Sequence, residues 1–142
     1  MSRKRIDPQV TAMAGEFLTA GKLFKKGYQV SVTLGNTKAI DIFIFNPATK
    51  KKFSVQVKTQ RRKNNFPIKK ESIKREHIYI FVRLNRFEDS EEFFIVPGRE
   101  ILKDINRFFG SSYIDPEKPS KMPAINYGPL DSYRDNWAVF DN

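Results

Sequence analysis

The chain has 142 residues, enough for one compact domain with a hydrophobic core and too few for two ordinary domains. Apolar residues make up 39% of it, including 13 Phe, which predicts a folded protein rather than a disordered one. There is no cysteine, which excludes a disulfide scaffold, a cysteine-ligated zinc and a thiol nucleophile. No apolar run approaches the roughly 18 residues of a membrane helix, and no apolar signal segment follows the basic N-terminus. We therefore expect a cytoplasmic protein without a membrane partner.

The net charge of +10 is unevenly distributed. Residues 1–87 hold 20 Lys/Arg and 5 Asp/Glu, whereas residues 88–142 hold 6 Lys/Arg and 11 Asp/Glu. Charged residues often serve only solubility, but clustering on one part of a fold favours a polyanionic partner, most simply nucleic acid.

The N-terminal third begins with a basic arm, residues 1–7, followed by a predicted helix over residues 8–26. Asp7-Pro8 is a typical helix start, since Asp can cap the helix and proline suits its first position. Gly27 is the expected stop. Helical spacing predicts an apolar stripe on this helix, made of Val10, Met13, Ala14, Phe17, Leu18 and Phe24. Glu16 lies beside that stripe, and taken alone it could be an exposed helical acid.

The rest of the chain alternates between strand and helix patterns. Strands are predicted at residues 28–34, 39–45, 53–59, 78–84 and 93–96, with a turn at Gly35-Asn36 and a hairpin turn at Asn46-Pro47. Between and after them we expect a basic loop (60–70), a short helix (70–75), an amphipathic helix (99–109), an irregular extension (110–142) and, within it, a final short helix (130–140). The order predicts a single α/β domain over residues 1–142, with a central mixed sheet flanked by helices.

Three polar residues stand out on the central strands. Asp41 lies inside an apolar run, and Gln56 and Lys58 are two residues apart, so that they project from one face of their strand. A hairpin closed near Pro47 brings Asp41 to the level of Gln56 and Lys58. Buried strands carry an acid and a lysine at a cost in free energy, which favours a functional use.

That set of groups suits phosphodiester cleavage. A divalent cation polarises the phosphoryl oxygen and lowers the pKa of an attacking water. Mg²⁺ prefers oxygen ligands and keeps several waters, so one or two carboxylates, a carbonyl and the substrate phosphate suffice to hold it. A lysine nearby can orient the water and stabilise charge in the transition state.

Asp41, followed after a short hairpin by Gln56-Val57-Lys58-Thr59, resembles the PD-(D/E)XK nuclease superfamily. The resemblance covers residues 10–85 or so and is strongest for small single-domain members such as Holliday junction resolvases and small homing or restriction endonucleases. It implies a restriction endonuclease-like αβββαβ core. It also implies that Asp41 binds metal, that Lys58 lies near the attacking water, and that Glu16 is a further metal ligand.

The chain departs from the family pattern at two positions. Ile40 replaces the proline that precedes the motif aspartate, which is a structural position. Gln56 occupies the position of the second acid. Its amide oxygen can coordinate Mg²⁺ or Mn²⁺ but supplies no charge, so Glu16 or the substrate phosphate must supply it.

Basic residues surround this motif. Residues 50–75 hold 11 of the 26 Lys/Arg and a single acid, Glu71. We expect phosphate contacts from two groups, the hairpin cluster (Lys50, Lys51, Lys52) and the loop cluster (Arg61, Arg62, Lys63). No base-reading module is recognisable, so the sequence predicts no sequence specificity.

The leading hypothesis is a Mg²⁺-dependent DNA endonuclease of the PD-(D/E)XK type. Its catalytic residues would be Asp41, Gln56, Lys58 and Glu16, of which Asp41, Gln56 and Glu16 hold metal. A homodimer or higher assembly is expected, because double-strand cutting needs two sites. One alternative is a catalytically inactive nucleic-acid-binding protein on the same fold, and RNA stays open as a partner. Another is an interaction domain whose basic face meets a different acidic partner.

Overall fold

The computed structural model of the protein describes residues 5–33, 40–110 and 123–142. Its helices are α1 (Pro8–Lys25), α2 (Gly98–Lys103) and α3 (Ile105–Phe109). Its strands are β1 (Gln29–Val32), β2 (Ile42–Asn46), β3 (Lys51–Gln60), β4 (Phe66–Pro67), β5 (His77–Arg83), β6 (Glu92–Pro97) and β7 (Ala124–Ile125). Short 3₁₀ helices cover Lys70–Ser72, Gly128–Tyr133 and Trp137–Asp141. The predicted Gly35-Asn36 turn lies outside the described residues.

Five strands form the central sheet in the order β1-β2-β3-β5-β6. The pairs β1–β2, β2–β3 and β5–β6 are antiparallel, whereas β3 and β5 are parallel. The sheet is therefore mixed, as predicted, and β3 is its central and longest strand. Asn46 closes the β2–β3 hairpin because its side-chain oxygen accepts hydrogen bonds from the backbone N–H groups of Ala48 and Thr49.

Helix α1 starts where the sequence predicts, but a different face of it is buried. The carboxylate of Asp7 caps the first turn by accepting a hydrogen bond from Gln9 N at 2.8 Å. The residues buried against the sheet are Gly15, Glu16, Thr19, Ala20 and Leu23. Of the apolar residues that follow helical spacing, Val10, Phe17 and Phe24 do not face the sheet, since each is more than half exposed.

A glycine explains why small residues of α1 face the sheet. A Cβ on Gly15 would lie 1.8 Å from the Oγ1 of Thr59 on β3, closer than any two such atoms can approach. The helix backbone therefore packs directly on the strand, which large side chains would prevent. The alternative that Glu16 is an exposed helical acid is also wrong, because Glu16 is buried at this contact.

The α1 face of the sheet carries the first of two hydrophobic clusters, which includes Ile42, Ile44, Val55 and Val57. The C-terminal segment closes this cluster with Phe140, which is fully buried and packs edge-to-face on Phe53 at 5.2 Å. Its backbone carbonyl accepts a hydrogen bond from Asn46 Nδ2 at 2.7 Å. Tyr28 and Asp141 form a further hydrogen bond at this end of the chain.

Among the described residues, the cover of the opposite face lies mainly over β5 and β6. There Tyr79, Phe81 and Phe94 pack with Phe66 of β4 and Ile125 of β7 into the second cluster. An ionic group at the sheet edge fixes the tail: Glu92 accepts hydrogen bonds from Arg83 at 3.1 Å, Arg134 at 2.7 Å and Tyr127 at 2.8 Å. Burial raises the pKa of Glu92, but the hydrogen bonds from Tyr127 and Arg134 outweigh it, so the net pKa lies below its usual value.

Several predicted elements differ in detail. The helix expected over residues 99–109 is broken at Asp104 (φ −140°, ψ 60°) into α2 and α3. The helix expected over 130–140 consists of two 3₁₀ segments, and the one expected over 70–75 is a single 3₁₀ turn. The basic loop contains β4, which pairs with β7 of the extension. Within the described parts of the chain, none of the helices is long and apolar enough to cross a membrane.

Candidate active site

The sheet opens at one point, which we call the strand fork. The pairing of β2 with β3 begins at Asn46–Lys51 and ends at Ile42–Val55. Beyond Val55, β3 continues to Gln60 in parallel pairing with β5. Among residues 5–33, 40–110 and 123–142, no strand pairs with the β3 edge that faced β2 along its last five residues.

Asp41 sits at this fork and bridges the strands on both sides of it. Its backbone N–H donates to the carbonyl of Val55 at 3.0 Å, and its carbonyl accepts from the backbone N–H of Thr33 at 2.9 Å. Its carboxylate oxygen Oδ2 accepts from the backbone N–H of Val57 at 2.8 Å. The side chain thus satisfies the N–H of Val57, a β3 donor that β2 no longer reaches. This hydrogen bond holds the carboxylate at Val57, the residue between Gln56 and Lys58 in the chain.

Gln56 and Lys58 leave β3 on the face opposite α1. Val55 and Val57 belong to the cluster under α1, and side chains alternate along a strand. Gln56 is buried, with 8% of its surface exposed, and Lys58 is half-buried. Their register partners on β5 are Tyr79 and Phe81, both fully buried. The two polar side chains therefore stand between an apolar cluster and the open strand edge.

Glu16 approaches β3 from the other side of the sheet. It is 5% exposed, and the neighbouring Gly15 contacts Thr59, the residue after Lys58. The structure thus places Glu16 near the same end of β3 as the other three candidates, on the α1 face. Glu16 is therefore on the opposite face of the sheet from Gln56 and Lys58.

The oxygen donors at the fork suit a hard cation but are few. The candidate ligands are the carboxylates of Asp41 and Glu16 and the amide oxygen of Gln56, and Oδ2 of Asp41 already accepts the Val57 N–H. Within residues 5–33, 40–110 and 123–142, no three His, Cys, Asp or Glu side chains form a group that could hold a metal ion. A cation at the fork would therefore need additional oxygen ligands from Gln56, from backbone carbonyls or from the substrate.

The two basic clusters lie at opposite ends of β3. The hairpin cluster is at its start and the loop cluster follows its end, and all six side chains are exposed. Ten residues of strand place the clusters about 30 Å apart, with Gln56 and Lys58 between them. In the loop cluster, Arg61 Nε donates to Thr11 Oγ1 at 2.8 Å, and Lys63 lies 5.2 Å from the ring of Tyr127.

One surface near the site is not predicted from the sequence. The face of β1, β2 and β3 opposite α1 forms an open groove of about 760 Å³, lined by Gln29, Ser31, Phe43, Phe45, Lys52 and Ser54 among others. Phe43 is 45% exposed. The apolar run of β2 is typical of a strand buried on both faces, so the sequence does not predict this exposed surface. The polar partners of Phe43, Ser31 on β1 and Ser54 on β3, are the signal in the sequence that could have shown it.

Among the comparisons with known proteins, only the structural one gives a match. No protein-family model matches the chain, and no curated protein matches its sequence. The chain is similar to the solved structure of a bacterial homing endonuclease, I-Ssp6803I, with a TM-score of 0.54 and 15% sequence identity. The match covers 94% of this chain and 93% of that chain. The predicted fold class is confirmed: the protein has a mixed α/β, endonuclease-like fold with a central five-stranded sheet flanked by helices.

Proposed function

We propose that the protein is a metal-dependent DNA endonuclease of the PD-(D/E)XK type, with its active site at the strand fork. The observation that carries the proposal is the hydrogen bond from Val57 N to Asp41 Oδ2, at 2.8 Å. It holds a carboxylate against the β3 segment that carries Gln56 and Lys58. The similarity of fold to a homing endonuclease supports the same reaction class.

Each residue at the fork has a separate role in this proposal. The Asp41 carboxylate accepts the Val57 N–H through Oδ2, and its other oxygen, Oδ1, would be the one that binds a ligand. Gln56 presents an amide oxygen without charge, which makes the buried Glu16 the second source of negative charge. Lys58 carries an ammonium group that can hold the attacking water and stabilise the charge that develops on the phosphoryl oxygens.

The cofactor of the proposed reaction is Mg²⁺ or Mn²⁺. Asp41, Gln56 and Glu16 would hold the ion, which would supply a polarised phosphoryl oxygen and a water of lowered pKa. Hard oxygen donors fit either metal. Their small number predicts weak binding that tightens when the substrate phosphate joins them.

The basic clusters support DNA as the substrate. About 30 Å separates them along β3, which is close to one turn of duplex, so each can contact phosphates on either side of the fork. Such contacts give affinity without sequence preference. We expect both the hairpin cluster and the loop cluster to contribute to the salt dependence of binding.

Cleavage assays on several DNA forms test the proposal. Supercoiled, linear and branched DNA would be incubated with Mg²⁺, Mn²⁺ or EDTA, using the native chain and Gln56→Glu. We expect metal-dependent cleavage, and equal or higher activity for Gln56→Glu because it restores the charge of the second acid. Loss of activity in a folded Gln56→Glu protein would show that Gln56 is not a metal ligand.

A second function is favoured by one observation, the lack of three clustered acidic or His/Cys ligands in the parts of the chain that the structure describes. The protein would then bind nucleic acid on the same fold without cutting it. Binding to DNA or RNA with no cleavage under any metal condition, in Gln56→Glu as well as in the native chain, would establish this alternative. Duplex RNA competing as well as duplex DNA would also contradict a DNA-specific role.

A further inference from the structure

Two phenylalanines of β2, Phe43 and Phe45, lie outside both hydrophobic clusters. The residues that alternate with them on β2 belong to the cluster under α1, so both rings leave the strand on the opposite face, which also carries Gln56 and Lys58. Both rings line the open groove of about 760 Å³, and Phe43 is 45% exposed. This volume falls in the range of about 300–1,000 Å³ that is typical of pockets for small organic ligands. The groove is therefore large enough to be a binding site on the face of the strand fork.

Each of these rings lies between two polar residues, one on β1 and one on β3. The pairs are Ser31 and Ser54 for Phe43, and Gln29 and Lys52 for Phe45. All four polar residues line the groove, and none of the described residues that line it is acidic. The groove thus combines an aromatic floor with hydrogen-bonding and cationic groups at its sides. That composition suits nucleotides, whose bases have an apolar face and polar edges and whose phosphates are anionic.

The spacing of the two rings favours bases that have left a duplex. Phe43 and Phe45 are two residues apart on a strand, which separates them by about 7 Å. Successive nucleotides along one strand of duplex DNA rise by only about 3.4 Å. Bases in a duplex also stack on each other, so that side chains reach their edges but not their faces. The two rings therefore match neighbouring bases of an extended, unpaired strand.

The groove leads to the proposed active site. Asp41 precedes Phe43 by two residues, so the fork lies about 7 Å from the first ring and about 14 Å from the second. At the other end of the groove, Lys52 belongs to the hairpin cluster, whose exposed side chains can contact phosphates. We propose that the groove binds two unpaired nucleotides of the DNA substrate, with their bases stacked on Phe43 and Phe45. This assignment, which rests on the proposed function, names the substrate as DNA with a single-stranded segment beside the bond that is cut.

Binding measured in EDTA tests the site without any cleavage. The probes are a labelled blunt duplex of about 20 bp and the same duplex with a single-stranded arm of about 10 thymidines. Stacking of a base on an aromatic ring changes affinity about 5-fold or more, so we expect the native chain to bind the armed probe at least about 5-fold more tightly than the blunt one. Phe43→Ala should lose that preference and keep its affinity for the blunt duplex. Phe87→Ala is the matched control, since Phe87 is fully exposed between β5 and β6, and it should bind both probes like the native chain.

The same measurements separate this site from the proposed cleavage. Equal affinity of the native chain for both probes, no binding to either, or a preference that Phe43→Ala retains would overturn the assignment. Tighter binding of the same arm made of RNA would assign the groove to RNA and overturn it for DNA. A chain that prefers the armed probe but never cuts DNA would contradict the nuclease and support the groove, whereas cutting of duplex without that preference would do the reverse.

A tryptophan in place of Phe43 reports the contact itself. The native chain has a single tryptophan, Trp137, which packs against the cluster under α1 on the other face of the sheet. Phe43→Trp keeps an aromatic ring, and single-stranded oligo(dT) should quench its fluorescence as it binds, because the base stacks on the indole. The native chain and Phe87→Trp are the controls and should show no such quenching. Absence of quenching in Phe43→Trp, or equal quenching in Phe87→Trp, would overturn the assignment.

Discussion

Asp41 has two roles in this account, one structural and one chemical, and two substitutions separate them. Asp41→Ala removes the carboxylate and leaves the backbone N–H of Val57 without the acceptor that holds it at 2.8 Å. A buried donor that loses its acceptor costs about 1–3 kcal/mol in the free energy of unfolding. For a chain of this length that corresponds to a fall of about 4–12 °C in Tm. Asp41→Asn keeps a carbonyl oxygen for the same N–H but loses the charge.

We expect Asp41→Asn to unfold within about 4 °C of the native chain, whereas Asp41→Ala unfolds at a clearly lower temperature. Both variants should lose at least about 100-fold in metal-dependent DNA cleavage, because neither supplies an anionic ligand. Calorimetry measures the first effect and plasmid nicking the second. Asp104→Asn, on an exposed residue between α2 and α3, is the control for the change of charge.

Two results would refute this reasoning. Equal melting temperatures for Asp41→Ala and Asp41→Asn would show that the hydrogen bond to Val57 contributes nothing to stability. Native-like cleavage by Asp41→Asn would show that the carboxylate is not needed, and the fork would then not be the active site.

Three further predictions concern packing and pH. Gly15→Val should lower Tm by more than 10 °C or so, because its side chain would push α1 off β3, whereas Gly21→Val, in open space, should not. Burial and the hydrogen bond to Asp141 raise the pKa of Tyr28 to about 12. Stability measured by denaturant titration should therefore fall between about pH 10 and pH 12, and Tyr28→Phe should reduce that fall; the raised pKa values of Tyr79, Tyr127 and Tyr133 account for the rest. The pKa of Glu92 is lowered, because the hydrogen bonds that it accepts from Tyr127 and Arg134 outweigh the effect of burial. Its contribution to the free energy of unfolding should therefore disappear as the pH falls below about 4. The Glu92→Gln variant should not show this acid-dependent loss of stability.

The sequence predicts most of the sheet because each strand carries its own signal. The alternation in β3, the hairpin turn at Asn46 and the apolar run of β5 all predict strands that the structure has. The same patterns select Asp41, Gln56 and Lys58 as candidates, although Asp41 lies just before β2 and not inside the strand as predicted. The level of Asp41 beside Val55 and Val57 follows from the hairpin, whose register the turn determines.

Tertiary packing determines what the sequence does not show. Helical periodicity identifies the apolar line of α1, yet the buried face is the one with Gly15 and Ala20, because only small residues allow the helix to approach β3. Periodicity cannot tell a line that faces the core from one that faces a partner. The pairing of β4 with β7 also depends on contacts between distant segments.

The most direct test of the central claim is metal-dependent cleavage by Lys58→Met beside Lys103→Met. Lys58 is half-buried next to the fork, whereas Lys103 is exposed at the end of α2. Purified protein would be incubated with supercoiled plasmid in Mg²⁺ and in EDTA. The account predicts Mg²⁺-dependent nicking by the native chain and by Lys103→Met, and a loss of at least about 100-fold in Lys58→Met with DNA binding retained. Equal nicking by Lys58→Met, or DNA binding without any cleavage by the native chain, would contradict it.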